Sequence, residues 1–201
     1  TITGQIINNG AIFTLSGSGN INFNYSSGTN GAVRTNNSGT TYIKGGVITA
    51  KGTPAIESNS GTVNISSVQA TSDTQAIRAY GSNYFNIIIS GGTFNSTNSA
   101  AIHFYPTNTS SKLTISGGTF TGYDEGLYCY NAGIINVTGG KVVGNNKSGL
   151  HSERNSTTSI TVSGSAIFEG KTWDGITISS GNTVKINGGT FIGKNFGLFT
   201  D

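Results

Sequence analysis

A six-residue phrase recurs along this chain. Ile89-Ser-Gly-Gly-Thr-Phe94, Ile115-Ser-Gly-Gly-Thr-Phe120 and Ile186-Asn-Gly-Gly-Thr-Phe191 are near copies, and Ile43-Lys-Gly-Gly-Val-Ile48, Val137-Thr-Gly-Gly-Lys-Val142 and Val162-Ser-Gly-Ser-Ala-Ile167 are variants. A degenerate copy, Ile65-Ser-Ser-Val-Gln-Ala70, lies between them. A second phrase, a small residue followed by an aliphatic one, falls at Ala11-Ile12, Ala32-Val33, Ala55-Ile56, Ala76-Ile77, Ala101-Ile102, Gly126-Leu127, Gly149-Leu150, Gly175-Ile176 and Gly197-Leu198, at spacings of 21 to 26 residues. A repeat of this length cannot bury its own apolar face, so each unit must stack on its neighbours.

The alternation inside the phrases says how. In Leu113-Thr-Ile115 two aliphatic side chains share one face with a polar residue between them, the period of a half-buried strand. The chain has 23 Ile and 9 Val against 5 Leu, and β-branched side chains lose freedom in a helix while packing well on a pleated sheet. The Gly pair supplies a corner without Cβ, after which Phe94, Phe120 and Phe191, with Ile48, Val142 and Ile167 at the matching place, turn inward. The expected fold is therefore all-β. It is a single parallel β-helix over residues 1–201, of about eight to nine coils, roughly 23 residues and three short strands each. Stacked at about 4.8 Å per coil, nine anchors make a rod roughly 40 Å long.

Composition closes off other classes. Only 9% of residues are charged, where about 25% is usual, which excludes a coiled coil or a charge-driven disordered tail. No apolar run reaches the roughly 18 residues of a membrane span, and no leader pattern opens the chain. Without Met, residue 1 is not expected to be a translational start, and the domain is expected to be excised from, or to continue into, a longer chain. Open solenoid ends would favour end-to-end or homo-oligomeric stacking. Net charge is +3 with no Lys/Arg cluster, so nucleic acid is not an expected partner. The lone Cys129 can form no internal disulfide.

The pattern from Gly10 to Phe199 resembles the right-handed parallel β-helix of the pectate-lyase-like superfamily. Within it, the closest character is that of the Gly/Asn/Thr-rich regions of bacterial surface adhesins and autotransporter passengers. The resemblance implies an extracellular, secreted or cell-surface protein, and it leaves function open, because one coil serves lyases, hydrolases and adhesins alike.

Function is sought on the outward columns. One place after each anchor stand Phe13, Arg34, Glu57, Arg78, His103, Tyr128, His151, Thr177 and Phe199; three places after it stand Leu15, Asn36, Asn59, Tyr80, Tyr105, Tyr130, Glu153, Ser179 and Asp201. The intervening inward column carries Ser58, Ala79, Phe104, Cys129, Ser152 and Ile178, so Cys129 reads as a small buried residue. Arg78, Tyr80, His103, Tyr105, Tyr128, Tyr130, His151 and Glu153 form the candidate binding face, because rings can lie on apolar sugar faces while phenol, imidazole and guanidinium groups bond hydroxyls and carboxylates. The expected partner is a polysaccharide or cell-surface glycan, including acidic, pectin-like ones.

Two alternatives remain: a polysaccharide lyase on uronic-acid polymers, with His103, Tyr128 and His151 as its acid/base set, and a structural stalk or filament subunit. The eight acids are scattered, which argues against a calcium or two-carboxylate catalyst. Asp124, Glu125 and Asp174 are the weak metal candidates, calcium being the one conceivable cofactor, with a solvated turn as the plainer reading of Asp124-Glu125. Thr93, Thr119 and Thr190 share one repeat position, but Val47, Gln69, Lys141 and Ala166 interrupt the row, which speaks against an ice-binding face.

Overall fold

The computed structural model describes residues 1–25, 30–153 and 156–201. In it the strands fall into three parallel sheets of nine, nine and eight strands, each strand pairing with its counterparts one coil before and one coil after. The first sheet holds the strands that follow the Gly-Gly corner, such as Thr93–Ser96 and Thr119–Gly122. The second holds the small-aliphatic phrase, as in Ile102–Pro106 and Leu127–Cys129, and the third the strands that enter the corner, as in Phe85–Ile89 and Lys112–Ile115. Three such strands make one turn of a β-solenoid, with no helix among the described residues long and apolar enough to cross a membrane.

The core is a set of ladders inside the three sheets. Ile48, Ala70, Phe94, Phe120, Val142, Phe168 and Phe191 pair in register along the first sheet. Val63, Ile87, Leu113, Ile135 and Ile160 do so along the third. Almost all are sealed from solvent, and the Phe94 and Phe120 rings stack with centroids 4.8 Å apart at 5°. Both repeated phrases have packing causes. At Gly91 a Cβ would come within 2.5 Å of the Ser66 carbonyl of the coil below, while Gly92 takes φ +111°, where a side chain is strained. At Gly126 a Cβ would lie 2.5 Å from Val142 Cγ1, so the anchor's first residue must be small.

Two positions depart from the expected register. The anchor of the first coil is Ile6, which pairs with Val33, whereas Ile12 pairs with Thr40 in the third sheet and is 81% exposed. Ala11-Ile12 has the phrase but not the place: the true anchors Ile6 and Val33 stand 27 residues apart, one more than the longest of the other intervals. Near the other end, the corner after Val162 holds one residue more than the corner after Ile115. Phe168 therefore takes the inward position between Val142 and Phe191, and Ile167 faces outward between Lys141 and Thr190. It is thus Ile167, not Ala166, that interrupts the threonine row, and Ala166 is buried in the corner.

Candidate functional site

The expected outward column exists. Arg34, Glu57, Arg78, His103, Tyr128, His151, Thr177 and Phe199 pair in unbroken register along the second sheet. Its first member is Ile7 rather than Phe13, and Leu15 lies in the third sheet, both consequences of the shifted first anchor. The alternating residues Ser58, Ala79, Phe104, Cys129, Ser152 and Ile178 point inward and are buried. Burial pushes the Cys129 thiol far up, which leaves it inert.

The tyrosine ladder is real, and its geometry changes what it can do. Tyr80 and Tyr105 stack at 5.5 Å and 14°, and Tyr105 and Tyr130 at 4.8 Å and 7°. The rings cover one another's faces, and the Arg78 guanidinium lies 5.8 Å over the Tyr80 ring. What the ladder offers outward is a row of edges and hydroxyls at the coil spacing, not the flat platforms anticipated for a pyranose.

Charge on the face is arranged in closed groups. Glu57, 2% exposed, sits between two arginines, with Arg34 Nε 3.2 Å from Oε1 and an Arg78 guanidinium nitrogen 2.7 Å from Oε2. The Gly31 N–H donates to the same Oε2 at 2.9 Å, and a Cβ at Gly31 would crowd the Glu57 Cβ at 2.7 Å. Burial raises the Glu57 carboxyl; Arg78, then Arg34, pull the other way, and two permanent cations in contact keep it ionised at neutral pH.

Glu125 is not the solvated turn expected of it. It is 5% exposed. Its coil tightens at Gly122, where a Cβ would collide with the Glu125 carbonyl, and this sets the side chain beside the outward column. Lys147 Nζ lies 3.0 Å from Glu125 Oε1 and 3.7 Å from Asp124 Oδ2, and His151 Nδ1 lies 3.6 Å from the same Oε1. Burial acts to raise the Glu125 carboxyl, but His151 and Lys147 outweigh it and hold it below the usual carboxylate range. The Tyr128 hydroxyl donates to Glu153 Oε2 at 2.7 Å, and burial together with Glu153 keeps that phenol protonated. His103, packed 5.1 Å from the Tyr128 ring and 5.7 Å from Tyr105, has its pKa lowered to about 4 by burial and by Arg78. Its Nε2 is buried with no hydrogen-bond partner.

These side chains line two hollows. One, of about 260 Å³, is bounded by Gln75, Arg78, Tyr80, His103 and Tyr105. The other, of about 240 Å³, is bounded by Gln75, Ser99, Ala100, His103, Glu125, Tyr128, Lys147, His151 and Glu153. They share Gln75 and His103, so together they form one polar groove running across the coils. The structure thus brings Arg78, Tyr80, His103, Tyr105, Tyr128, His151 and Glu153 to the groove, with Tyr130 extending the ladder beyond it. Gln75 and Lys147 were missed as lining residues. Both belong to the turn entering the second sheet: Gln75 stands two places before its anchor, in a column that reads Gln75, Ala100, Glu125, Ser148 and Asp174 and is as legible in the sequence as those one and three places after it, while Lys147 stands three places before Leu150.

The weak metal candidates do not converge. The Lys147 ammonium occupies the place between Asp124 and Glu125 that a cation would take. Asp174 lies apart, buried, accepting from the Thr177 hydroxyl at 2.9 Å and the Phe196 N–H at 3.2 Å. Among the described residues no three His, Cys, Asp or Glu are grouped to hold a metal ion. No protein-family model, curated protein or solved structure matches the chain, so what stands is the parallel β-solenoid itself, without a relative to name its family.

Proposed function

We propose that the protein is an extracellular glycan-binding module with an adhesive role, in the manner of the pectate-lyase-like β-helices of bacterial surface proteins. The observation that carries this reading is the polar groove of Gln75, His103, Glu125, Tyr128, Lys147 and His151 beside the hydroxyl edges of Tyr80 and Tyr105. It is concave, formed by side chains fixed on a rigid sheet, and rich in donors and acceptors that a hydroxylated ring can meet. The purified protein, laid over an array of immobilised polysaccharides, should bind at least one class. The His103→Ala/His151→Ala double variant should bind it at least ten-fold more weakly while keeping the parent's circular dichroism. Equal binding by both would remove the groove from consideration, and binding by neither would favour a stalk.

A second reading, a lyase acting on uronic-acid polymers, is favoured by one contact. His151 lines the groove with its buried Nδ1 3.6 Å from Glu125 Oε1, which places a carboxylate beside a candidate base. Unsaturated ends produced from polygalacturonate by the parent and not by His151→Ala would promote it over the binding module.

A further inference from the structure

Two ionic clusters flank the groove, and neither is balanced. At one end Arg34 and Arg78, from the coils on either side, close on the single Glu57 carboxylate at 3.2 and 2.7 Å. Two permanent cations against one carboxylate leave an excess of positive charge. At the other end Asp124 and Glu125 close on the single Lys147 ammonium at 3.7 and 3.0 Å, which leaves the opposite excess. His151, 3.6 Å from Glu125, offsets that second excess only when it is protonated.

The positive excess opens on the 260 Å³ hollow. Its lining of Gln75, Arg78, Tyr80, His103 and Tyr105 contains no carboxylate. Among the described residues Glu57 is the only hydrogen-bond partner of the Arg78 guanidinium, and it engages one terminal nitrogen. A planar fork with five N–H groups therefore keeps donors for a second acceptor. Burial, and then the Arg78 charge, lower the His103 pKa to about 4, so at neutral pH that ring adds no charge of its own to the hollow. The stacked Tyr80 and Tyr105 rings present their hydroxyls along the same rim, where they can donate to an anion's oxygens.

Building on the glycan-binding reading, we infer that the Arg78 hollow is an anion subsite that seats one carboxylate or sulfate substituent of a glycan whose next residue, toward Lys147, is uncharged. A second anion beside Asp124 and Glu125 would meet the opposite excess and be repelled. The anion alone tests the subsite. In an NMR titration of the whole protein at about pH 7.5 with sodium sulfate and with sodium acetate, against sodium chloride at equal ionic strength, the backbone amides of Arg78, Tyr80 and His103 should shift saturably. Arg78→Gln should abolish the response. Arg34→Gln changes a residue outside the hollow and leaves Glu57 to neutralise Arg78, so it should weaken the anion at least three-fold, whereas Glu57→Gln should tighten it at least three-fold. Shifts that do not saturate, or that Arg34→Gln leaves unchanged, would overturn the subsite. Among immobilised polysaccharides, those bound should carry carboxylates or sulfates, and binding should fall ten-fold or more after carboxyl reduction if the group is a carboxylate, or after desulfation if it is a sulfate. A polymer acidic at alternate residues should bind at least ten-fold more tightly than one acidic at every residue, and equal binding would overturn the uncharged neighbour. Binding of neutral glycans alone would overturn the anion subsite and spare the glycan reading, whereas saturable anion binding with no glycan bound would remove that reading and leave the subsite.

Discussion

Replacing Phe120 by Ala probes the ladder that holds the coils together. The ring is fully buried, lies face to face with Phe94 at 4.8 Å, and is followed in its column by Val142. Truncating a buried Phe to Ala typically costs about 3–5 kcal/mol, and a stacked aromatic partner accounts for about 0.5–1.5 kcal/mol beyond area. The upper half of that range applies here. The coil above and the coil below are each fixed by backbone pairing in three sheets, so they cannot close on the cavity. For a chain of this size a loss of about 4–5 kcal/mol lowers the melting temperature by roughly 8–20 °C. Urea and thermal unfolding would measure it, with Thr121→Ala as control. Thr121 is the next residue on the same strand, faces outward, and should change stability by no more than about 0.5 kcal/mol. Because solenoid stability is a sum of coil and interface contributions, hydrogen exchange should rise first in the strands around Phe94, Phe120 and Val142. A cost below about 1 kcal/mol, or one equal to the control, would refute the inward assignment of this column.

Two further outcomes are expected. Phe168→Ala should be destabilising by about 3 kcal/mol or more and Ile167→Ala by less than about 1 kcal/mol, since Phe168 is sealed in the core and Ile167 faces outward; the reverse order, read from urea midpoints, would restore the unshifted register. His103 titrates near 4 when folded against an ordinary 6.5, so the unfolded chain takes up this proton first as pH falls. Its contribution to stability is therefore complete above about pH 6.5 and is lost between there and pH 4, by roughly 3 kcal/mol at most, and His103→Gln should flatten that part of the stability profile. An NMR titration showing His103 protonated at pH 6 would contradict the burial that lowers it.

The architecture was legible because it is written in local, repeated terms. A Gly-rich corner in most coils, a small residue before every anchor from Val33 on, and a period-2 alternation recur along the chain, and stacking in register turns them into ladders without any long-range information. The columns were legible for the same reason. Arg34, Glu57, Arg78, His103, Tyr128 and His151 stand one place after their anchors and are neighbours in space. Where a loop gains a residue the counting slips. Ala11-Ile12 stands 21 residues before Ala32-Val33, within the range of the other spacings, and so took the place of Ile6, which follows Gln5 rather than a small residue; the one-residue excess after Val162 exchanged Ile167 for Phe168.

The site itself was decided by tertiary structure. Residue types along a column say that tyrosines will be adjacent but not that their rings will turn face to face, so the ladder offers edges where the sequence had implied platforms. Nor does a column say which charges will cancel. Glu57 closes on two arginines and Glu125 on Lys147 because side chains from successive coils and from the entering turn meet above the sheet, at distances set by rotamers and by the path of each turn. The repeat fixes the backbone through hydrogen bonds common to every coil, whereas the groove depends on contacts made once, between side chains whose partners no period specifies.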